Sequence, residues 1–424
     1  MKRILAPVLL GLLGTGRAIG SERFPRPELP SGRSTPGSLW PVPGSVGSEW
    51  LDVSVLGLAL ALAAYLALVR RSRRGMVALA VFCLAYFGFV RRGCVCSVGS
   101  FQNLAEALCN PGVSVPASVL FFFVLPLLAA LLFGRVFCAA VCPLGAIQEL
   151  VARYPRRLPR WATEWLRLIP RVYLGLSVLL AATGTAYWVC QYDPFVALFR
   201  LSGPLPILLL GGATLVVGVF VSRPYCRFVC PYGVLLGWMS HLSWRHLSIT
   251  PDDCVVCGLC EDACPMDAIL PATAERTAET RTRGVRGLAF AAFLLPVLVA
   301  AGAWAGAYLG KPLSSLHEDA QLAAQFVAED GGAEPTAISK SFHSGPRSRE
   351  QLEQDLQSRR DRLAHGGRWF GAFLGLLVGM RLISLRVRLK RDGYEPDRAE
   401  CVSCGRCFAS CPRQHALEKA RNDG

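Results

Sequence analysis

The sequence predicts an all-α polytopic membrane bundle of about seven spans, joined to a small cysteine-rich module that is split in two along the chain. Three observations predict it. The chain of 424 residues is 52% hydrophobic and only 18% charged, with a mean hydropathy of +0.38, which is too apolar for a soluble globule of that length. Its apolar residues gather in runs of membrane-spanning length, and the loops between them are rich in arginine. Its 17 cysteines recur in short motifs, a usage that points to metal ligation rather than to a disulfide scaffold.

Residues 1–20 carry Lys2 and Arg3, an apolar run from Ile4 to Leu13 and small residues around Ala18, which reads as a signal peptide or signal anchor. Residues 21–50, rich in Pro, Gly and Ser, read as an extracytoplasmic linker. Residues 51–245 form the predicted transmembrane core. The candidate spans are Leu51–Val69, Met76–Val90, Ala117–Gly134, Val172–Cys190, Leu205–Ser222, Gly287–Leu309 and Trp369–Leu385. Pro126 and Pro296 fall inside spans, where a kink is tolerable.

Orientation follows from the arginines of the short loops. Arg70, Arg71, Arg73 and Arg74 follow the first span; Arg153, Arg156, Arg157, Arg160, Arg167 and Arg171 follow the third; Arg276, Arg281, Arg283 and Arg286 precede the sixth. All three groups fall on one side, which makes that side cytoplasmic and accounts for the net charge of +15 without any nucleic-acid partner. Arg91 and Arg92 dissent, standing at the outer face. The scheme places the chain in the inner membrane with a cytoplasmic C-terminus. It leaves residues 310–368 as an extracytoplasmic loop between transmembrane helices 287–309 and 369–385. Within that loop Leu352, Leu356 and Leu363 mark one face of an amphipathic helix.

The chemistry lies in two copies of one spacing: Cys254-x-x-Cys257-x-x-Cys260-x-x-x-Cys264-Pro265 and Cys401-x-x-Cys404-x-x-Cys407-x-x-x-Cys411-Pro412. Cysteine at every third position of a tight turn directs three thiolates into one concavity, where backbone N–H groups can donate to cluster sulfides. In two-cluster bacterial ferredoxins the fourth cysteine ligates the other cluster. The spacing therefore predicts a split ferredoxin-like 2x[4Fe-4S] module at the cytoplasmic face, its halves at residues 246–272 and 391–424. The ligand sets are Cys254, Cys257, Cys260 with Cys411, and Cys401, Cys404, Cys407 with Cys264, or else each motif closes on itself. Zinc fits less well, since neither motif supplies a second clean Cys-x-x-Cys pair or a nearby His.

A second pattern repeats in the core: Cys138-Ala-Ala-Val-Cys142-Pro143-Leu144-Gly145 and Cys226-Arg-Phe-Val-Cys230-Pro231-Tyr232-Gly233. A spacing of four puts both thiols on one helical face, and the proline and glycine bend the chain beyond it. Two such pairs supply four thiolates to a candidate further metal or redox centre, the alternative being buried thiols that only pack. A degenerate copy, Cys94-Val-Cys96-Ser97-Val98-Gly99, joins Cys109 and Cys190 in an outer-face group, read as an outer redox site or as separate thiols or a disulfide. Cys83, inside a span, reads as packing.

Other chemistry is excluded. The six histidines, at 241, 246, 317, 343, 365 and 415, lie outside the proposed spans, and no Cys-x-x-Cys-His occurs, so there is no haem motif. The glycines at 14, 16 and 20 lack the spacing and strand context of a dinucleotide fold.

With Cys-x-x-x-Cys-Pro twice and then two ferredoxin-type motifs, the chain resembles polyferredoxin-type 4Fe-4S membrane proteins of the NapH and NosR class. The resemblance covers about residues 76–270 and 395–415. That class includes quinol-oxidising or electron-supplying partners of periplasmic nitrate and nitrous-oxide reductases, and the copper-reducing assembly factor of cytochrome oxidase is a related membrane ferredoxin. The chain departs from the pattern in two respects. The nearest string to a covalent flavin motif, Gly211-Gly212-Ala213-Thr214, lies inside an apolar span, so no covalent FMN is expected and the flavin-binding domain is missing from the resemblance. The second departure is the span hairpin between the cluster motifs.

The resemblance and motifs together imply a membrane-bound iron-sulfur protein. It would relay electrons between a cytoplasmic donor or the quinone pool and a membrane or periplasmic redox partner. Its partners are redox proteins, membrane lipid and, as a candidate, quinone; it is a component of an oxidoreductase system rather than a stand-alone enzyme. A metal-reducing or cofactor-assembly factor using Cys94, Cys96, Cys109 or Cys190 is the alternative, and a redox sensor ranks after it.

Overall fold

The computed structural model describes residues 46–93, 97–110, 113, 115–154, 156–200, 204–249, 257–271, 281–310, 318–332, 334, 336, 339–340, 342, 348–386 and 393–413. The predicted leader and most of the linker, together with Cys94, Cys96, Cys254, His317, His343 and His415, lie outside these residues.

Helix α1 (Val46–Ala64) continues as a π turn over Tyr65–Val69, and α2 (Arg73–Cys83) as a π turn over Leu84–Val90. After α3 (Ser97–Cys109) and α4 (Ala117–Phe133) comes a third π turn, Phe137–Val141, leading into α5 (Pro143–Val151). Next stand α6 (Arg160–Leu166), α7 (Ile169–Ala182), α8 (Trp188–Tyr192), α9 (Pro194–Arg200) and α10 (Leu205–Phe220). Two short helices follow, α11 (Pro224–Phe228) and α12 (Pro231–His241). The remaining elements are α13 (Leu259–Ala263), β1 (Ile269–Leu270), α14 (Arg281–Gly310), α15 (Glu318–Asp330), α16 (Arg349–Arg386), β2 (Glu395–Pro396) and α17 (Arg406–Ala409).

Among the described residues, five helical stretches are long and apolar enough to cross a membrane: Glu49–Val69, Arg73–Val90, Trp161–Ala182, Gly284–Tyr308 and Arg349–Arg386. A sixth arises if the bent pair α9 and α10 counts as one span. The second span, short in the sequence, is thus continuous from Arg73. Helix α4 is apolar but only 17 residues long. The predicted span Val172–Cys190 is shifted, because the helix ends at Ala182 and Cys190 sits on the separate α8. Thr183 causes the break: its hydroxyl turns back to the Leu179 carbonyl at 2.9 Å, and Gly184 follows at φ +64°.

The predicted outer amphipathic helix is not a separate element. Leu352, Leu356 and Leu363 belong to α16, which runs unbroken for 38 residues into the last span. Leu352 and Leu356 pack against Phe326 of α15, as the apolar spacing requires. Arg359 anchors this extension by donating to the Gly184 carbonyl at 2.9 Å.

The dissenting Arg91 also has a physical reason. It pairs with Asp52, a carboxylate buried within α1 that also accepts from the Tyr86 hydroxyl at 2.8 Å. A buried carboxylate needs such a counter-ion, and that requirement overrides the charge bias of the loop.

The core is built of small residues on α1 and its π turn (Ala59, Ala63, Ala67) against Cys83, Phe87, Val136 and Ala140. Small side chains let apolar helices approach closely where lipid supplies no hydrophobic drive. Cys83 is fully buried here, as its reading as packing requires.

Candidate iron-sulfur site

The split module closes. Strand β1 pairs antiparallel with β2, Ile269 opposite Pro396 and Leu270 opposite Glu395, so the exit of the first cysteine motif lies beside the entry of the second. The Asp397 amide extends the contact to the Ala268 carbonyl at 2.7 Å. The helices that follow the cysteine turns, α13 and α17, pack against each other. Each is preceded by a left-handed glycine, Gly258 at φ +79° and Gly405 at φ +76°. Only glycine holds that conformation without strain, and it lets the loop curl so that cysteines three apart face one side.

The closure carries Cys264 out of its own motif. Cys401 and Cys407 each feel the charge of Cys264 and Cys404, which makes a neighbourhood of Cys401, Cys404, Cys407 and Cys264. Burial pushes the Cys401 thiol up to about 12, against the pull of the Ser403 amide and Arg135, so thiolate there calls for a cationic partner. In the other half Cys260 is buried and Cys257 exposed, both beside Tyr394, while Cys411 is half-buried just past α17.

The module sits on one end of the bundle, held by arginines that the sequence offered only as orientation signals. Arg73 donates to the Cys404 carbonyl at 2.8 Å, and the Arg71 guanidinium lies 5.0 Å from the centre of the Phe408 ring. Arg227 meets Asp267 at 2.6 Å, Arg157 meets Asp262 at 3.1 Å, and Arg167 meets Glu400 at 3.7 Å. At the centre is Glu149 of α5, whose carboxylate takes Arg73, Arg223 at 3.1 Å and Arg406 at 2.7 Å. Burial alone would raise the Glu149 carboxyl; Arg223, Arg406 and Arg73 outweigh it and bring it down to about 2.

Beneath the module lie the two Cys-x-x-x-Cys-Pro segments, the first in the π turn Phe137–Val141 and the second in α11. Each chain turns back at its proline, which starts the next helix at its first position. The thiols of Cys138, Cys142, Cys226 and Cys230 lie within one another's electrostatic reach. A Cβ on Gly145 would stand 2.7 Å from the Cys138 carbonyl oxygen, and one on Gly233 would stand 3.3 Å from that of Cys226. The glycine of each motif is therefore dictated by the close return of the chain onto its first cysteine.

Among the described residues no three His, Cys, Asp or Glu side chains close around a single metal ion. In a cubane cluster each thiolate meets a different iron, so the donors of a cluster surround a volume rather than a point. One orphan tests the fit. The buried Arg135 Nε has no partner, while the guanidinium faces Cys138 and Cys230; a buried N–H of this kind suits an acceptor such as cluster sulfide.

Sequence reasoning missed Arg135, Gln148, Glu149 and Arg223. Gln148 donates to the Cys226 sulfur at 3.3 Å and accepts from the Tyr225 amide at 3.1 Å. The signal for the arginines was present, since Gly134-Arg135-x-x-Cys138 and Ser222-Arg223-x-x-Cys226 place them identically in the two copies. Of the thiols that the sequence assigned to an outer-face group, Cys109 and Cys190 are free and exposed, and the Cys190 sulfur lies against Gly99.

Comparisons with known proteins assign iron-sulfur binding to the same segments. A family profile described as a 4Fe-4S binding domain matches residues 115–161 and 203–250, which hold the two Cys-x-x-x-Cys-Pro segments. A second profile of the same description matches residues 247–270, the first ferredoxin-type motif. An uncharacterized protein of Methanocaldococcus jannaschii is 31% identical over 199 residues, 45% of this chain and 76% of that protein. The ferredoxin-type protein NapH of Escherichia coli is 30% identical over 188 residues, 41% of this chain and 61% of NapH. The regulatory protein NosR of Stutzerimonas stutzeri is 29% identical over 160 residues, 33% of this chain and 21% of NosR. The chain thus spans from about a fifth to about three quarters of these relatives' lengths. No solved structure matches. With 4Fe-4S profiles on its thiol motifs and relatives that include NapH and NosR, the chain belongs to the polyferredoxin-type 4Fe-4S membrane proteins of the NapH/NosR class.

Proposed function

We propose that this protein is a membrane-bound relay of single electrons between a cytoplasmic donor or the quinone pool and a membrane or periplasmic redox partner. The observation that carries the reading is Cys264 beside Cys401, Cys404 and Cys407, because it joins two distant motifs into one module docked on a membrane bundle. Cys401, Cys404, Cys407 and Cys264 hold one cluster; Cys254, Cys257, Cys260 and Cys411 hold the other; Cys138, Cys142, Cys226 and Cys230 hold a third centre. A [4Fe-4S] cluster supplies one-electron exchange with little change of shape. The protein's part is to exclude water, fix the spacing between centres and place charge beside them. A cavity of about 20 Å³ lined by Phe137, Phe195, Phe199 and Cys142 lies against the third centre, large enough for a water molecule but not for a quinone ring.

Protein purified without oxygen is expected to be brown and to carry about eight iron atoms for the module, or about twelve with the third centre filled. Cys264→Ser should abolish one cluster signal in low-temperature paramagnetic resonance and leave the other. A colourless preparation, or iron well below about eight per chain, would refute the reading. Quinol added in a redox titration should reduce at least one centre if the pool is the donor.

A further inference from the structure

The two Cys-x-x-x-Cys-Pro segments exchange arginines. Arg223, three residues before Cys226, reaches across to the first segment. There it donates to the Cys138 carbonyl and, at 3.3 Å, to the Ala139 carbonyl, while its guanidinium lies 3.5 Å from a Cβ built on Gly145. Arg135, three residues before Cys138, reaches the second segment, with its guanidinium 3.2 Å from a Cβ built on Gly233. Both side chains are buried, at 1% and 5% exposure.

Arg135 also touches the ferredoxin module, and Arg223 lies within electrostatic reach of it. Arg135 donates from Nη1 to the Ala399 carbonyl at 2.8 Å, two residues before Cys401, and its charge acts on Cys401 as well as on Cys138 and Cys230. The charge of Arg223 acts on Cys226, Cys138 and Cys404.

Building on the reading above, we propose that Arg135 and Arg223 form the electrical contact between the Cys401/Cys404/Cys407/Cys264 cluster and the four-thiol centre. They set the potentials of both, and they make the four-thiol centre the next station after that cluster. The step is the exchange of one electron between two iron-sulfur cores, one oxidised as the other is reduced, with no bond made and no proton moved. A fixed buried cation favours the reduced, more anionic form of any centre beside it, because low-dielectric surroundings leave it unscreened. Two guanidiniums shared by both centres therefore raise both potentials together, keep them close, and offset the cost of holding two anionic groups side by side. On this reading the cluster on Cys254, Cys257, Cys260 and Cys411 takes no part in that contact. Arg135 and Arg223 are positioning residues.

The test is a redox titration of the anaerobically purified full chain, followed by low-temperature paramagnetic resonance. Arg135→Gln should move two of three midpoint potentials to more negative values and leave the third in place. Arg135→Lys, which keeps the charge, should return both. Unchanged potentials, or a uniform shift of all three, would overturn the proposal. Arg223→Gln should act on the same two centres; because Arg223 also braces Glu149, that variant can lose iron altogether. Wild-type protein supplies the independent measurement. The signal of the cluster that Cys264→Ser abolishes should relax faster when the four-thiol centre is paramagnetic, and Cys226→Ser should remove that enhancement. Full iron content with no such coupling would overturn the contact while leaving the electron-transfer reading intact, whereas absence of clusters would sink both.

Discussion

Glu149→Gln is expected to release the second half of the ferredoxin module from the bundle. The Glu149 side chain is 6% exposed and pairs with three guanidiniums, from α2, the turn before α11, and α17. The amide keeps the shape and removes the charge, leaving Arg73, Arg223 and Arg406 facing one another with no anion. Breaking a buried ion pair from one side costs roughly 3–5 kcal/mol, a large share of a domain's stability. Arg406 lies between Gly405 and Cys407, so the loss falls on the ligand loop itself. Iron per chain should fall, the melting temperature in detergent should drop by several degrees, and protease should cut near α17. Full iron and unaltered melting would contradict this account. As a control, Asp330→Asn removes the partner of Arg349 in a pair that is 65% and 41% exposed, where such contacts are worth about 0–1 kcal/mol. Because the Glu149 carboxyl is held at about 2 against an ordinary 4.5, its contribution is complete above pH 4.5 and fades only as the pH falls toward 2. Docking should therefore be as tight at pH 5 as at pH 7, with equal resistance to proteolysis near α17.

Gly371→Leu is expected to be the most damaging apolar substitution in the chain. Helices α14 and α16 run antiparallel with glycines in register: Gly302 against Gly371, Gly306 against Gly367, and Leu298 against Gly375. A Cβ on Gly371 would run into the Gly302 carbonyl oxygen, and one on Gly306 into that of Gly367. Backbone cannot step aside as a side chain can, so the cost should exceed the roughly 1–3 kcal/mol of ordinary overpacking. This hairpin joins the two halves of the module and leans on the bundle through α7, where Phe370 and Phe373 cover Gly175. Splaying it should pull β2 from β1 and separate Cys264 from Cys401, Cys404 and Cys407. The expected readout is loss of one cluster signal with the chain still inserted. Gly212→Ala and Gly57→Ala, where an added Cβ meets nothing within 4 Å, should be silent. Retention of both signals in Gly371→Leu would show that the hairpin tolerates separation.

Much of this was written in local spacing. Cysteine at every third position before a proline needs only a few residues to declare a cluster loop, and apolar runs declare helices by length alone. The position of α14 and the last part of α16 followed from that. The break at Thr183 was less legible, because it depends on a hydroxyl turning back to its own helix within an apolar stretch. Arginine counts were legible as a charge bias but concealed their other use. Arg71, Arg73, Arg157, Arg167 and Arg227 are also the pegs on which the acidic module hangs.

The sequence by itself determined the kind of chemistry, the number of thiol motifs and the apolar segments that carry them, since each is a property of neighbours along the chain. Only the tertiary structure decided that Cys264 comes within electrostatic reach of Cys401 and Cys407, and that Arg135 and Arg223 cross between the two Cys-x-x-x-Cys-Pro segments. Those contacts join residues far apart in the chain. They exist because two glycine-lined helices close into a hairpin and because a buried carboxylate gathers three arginines at one point.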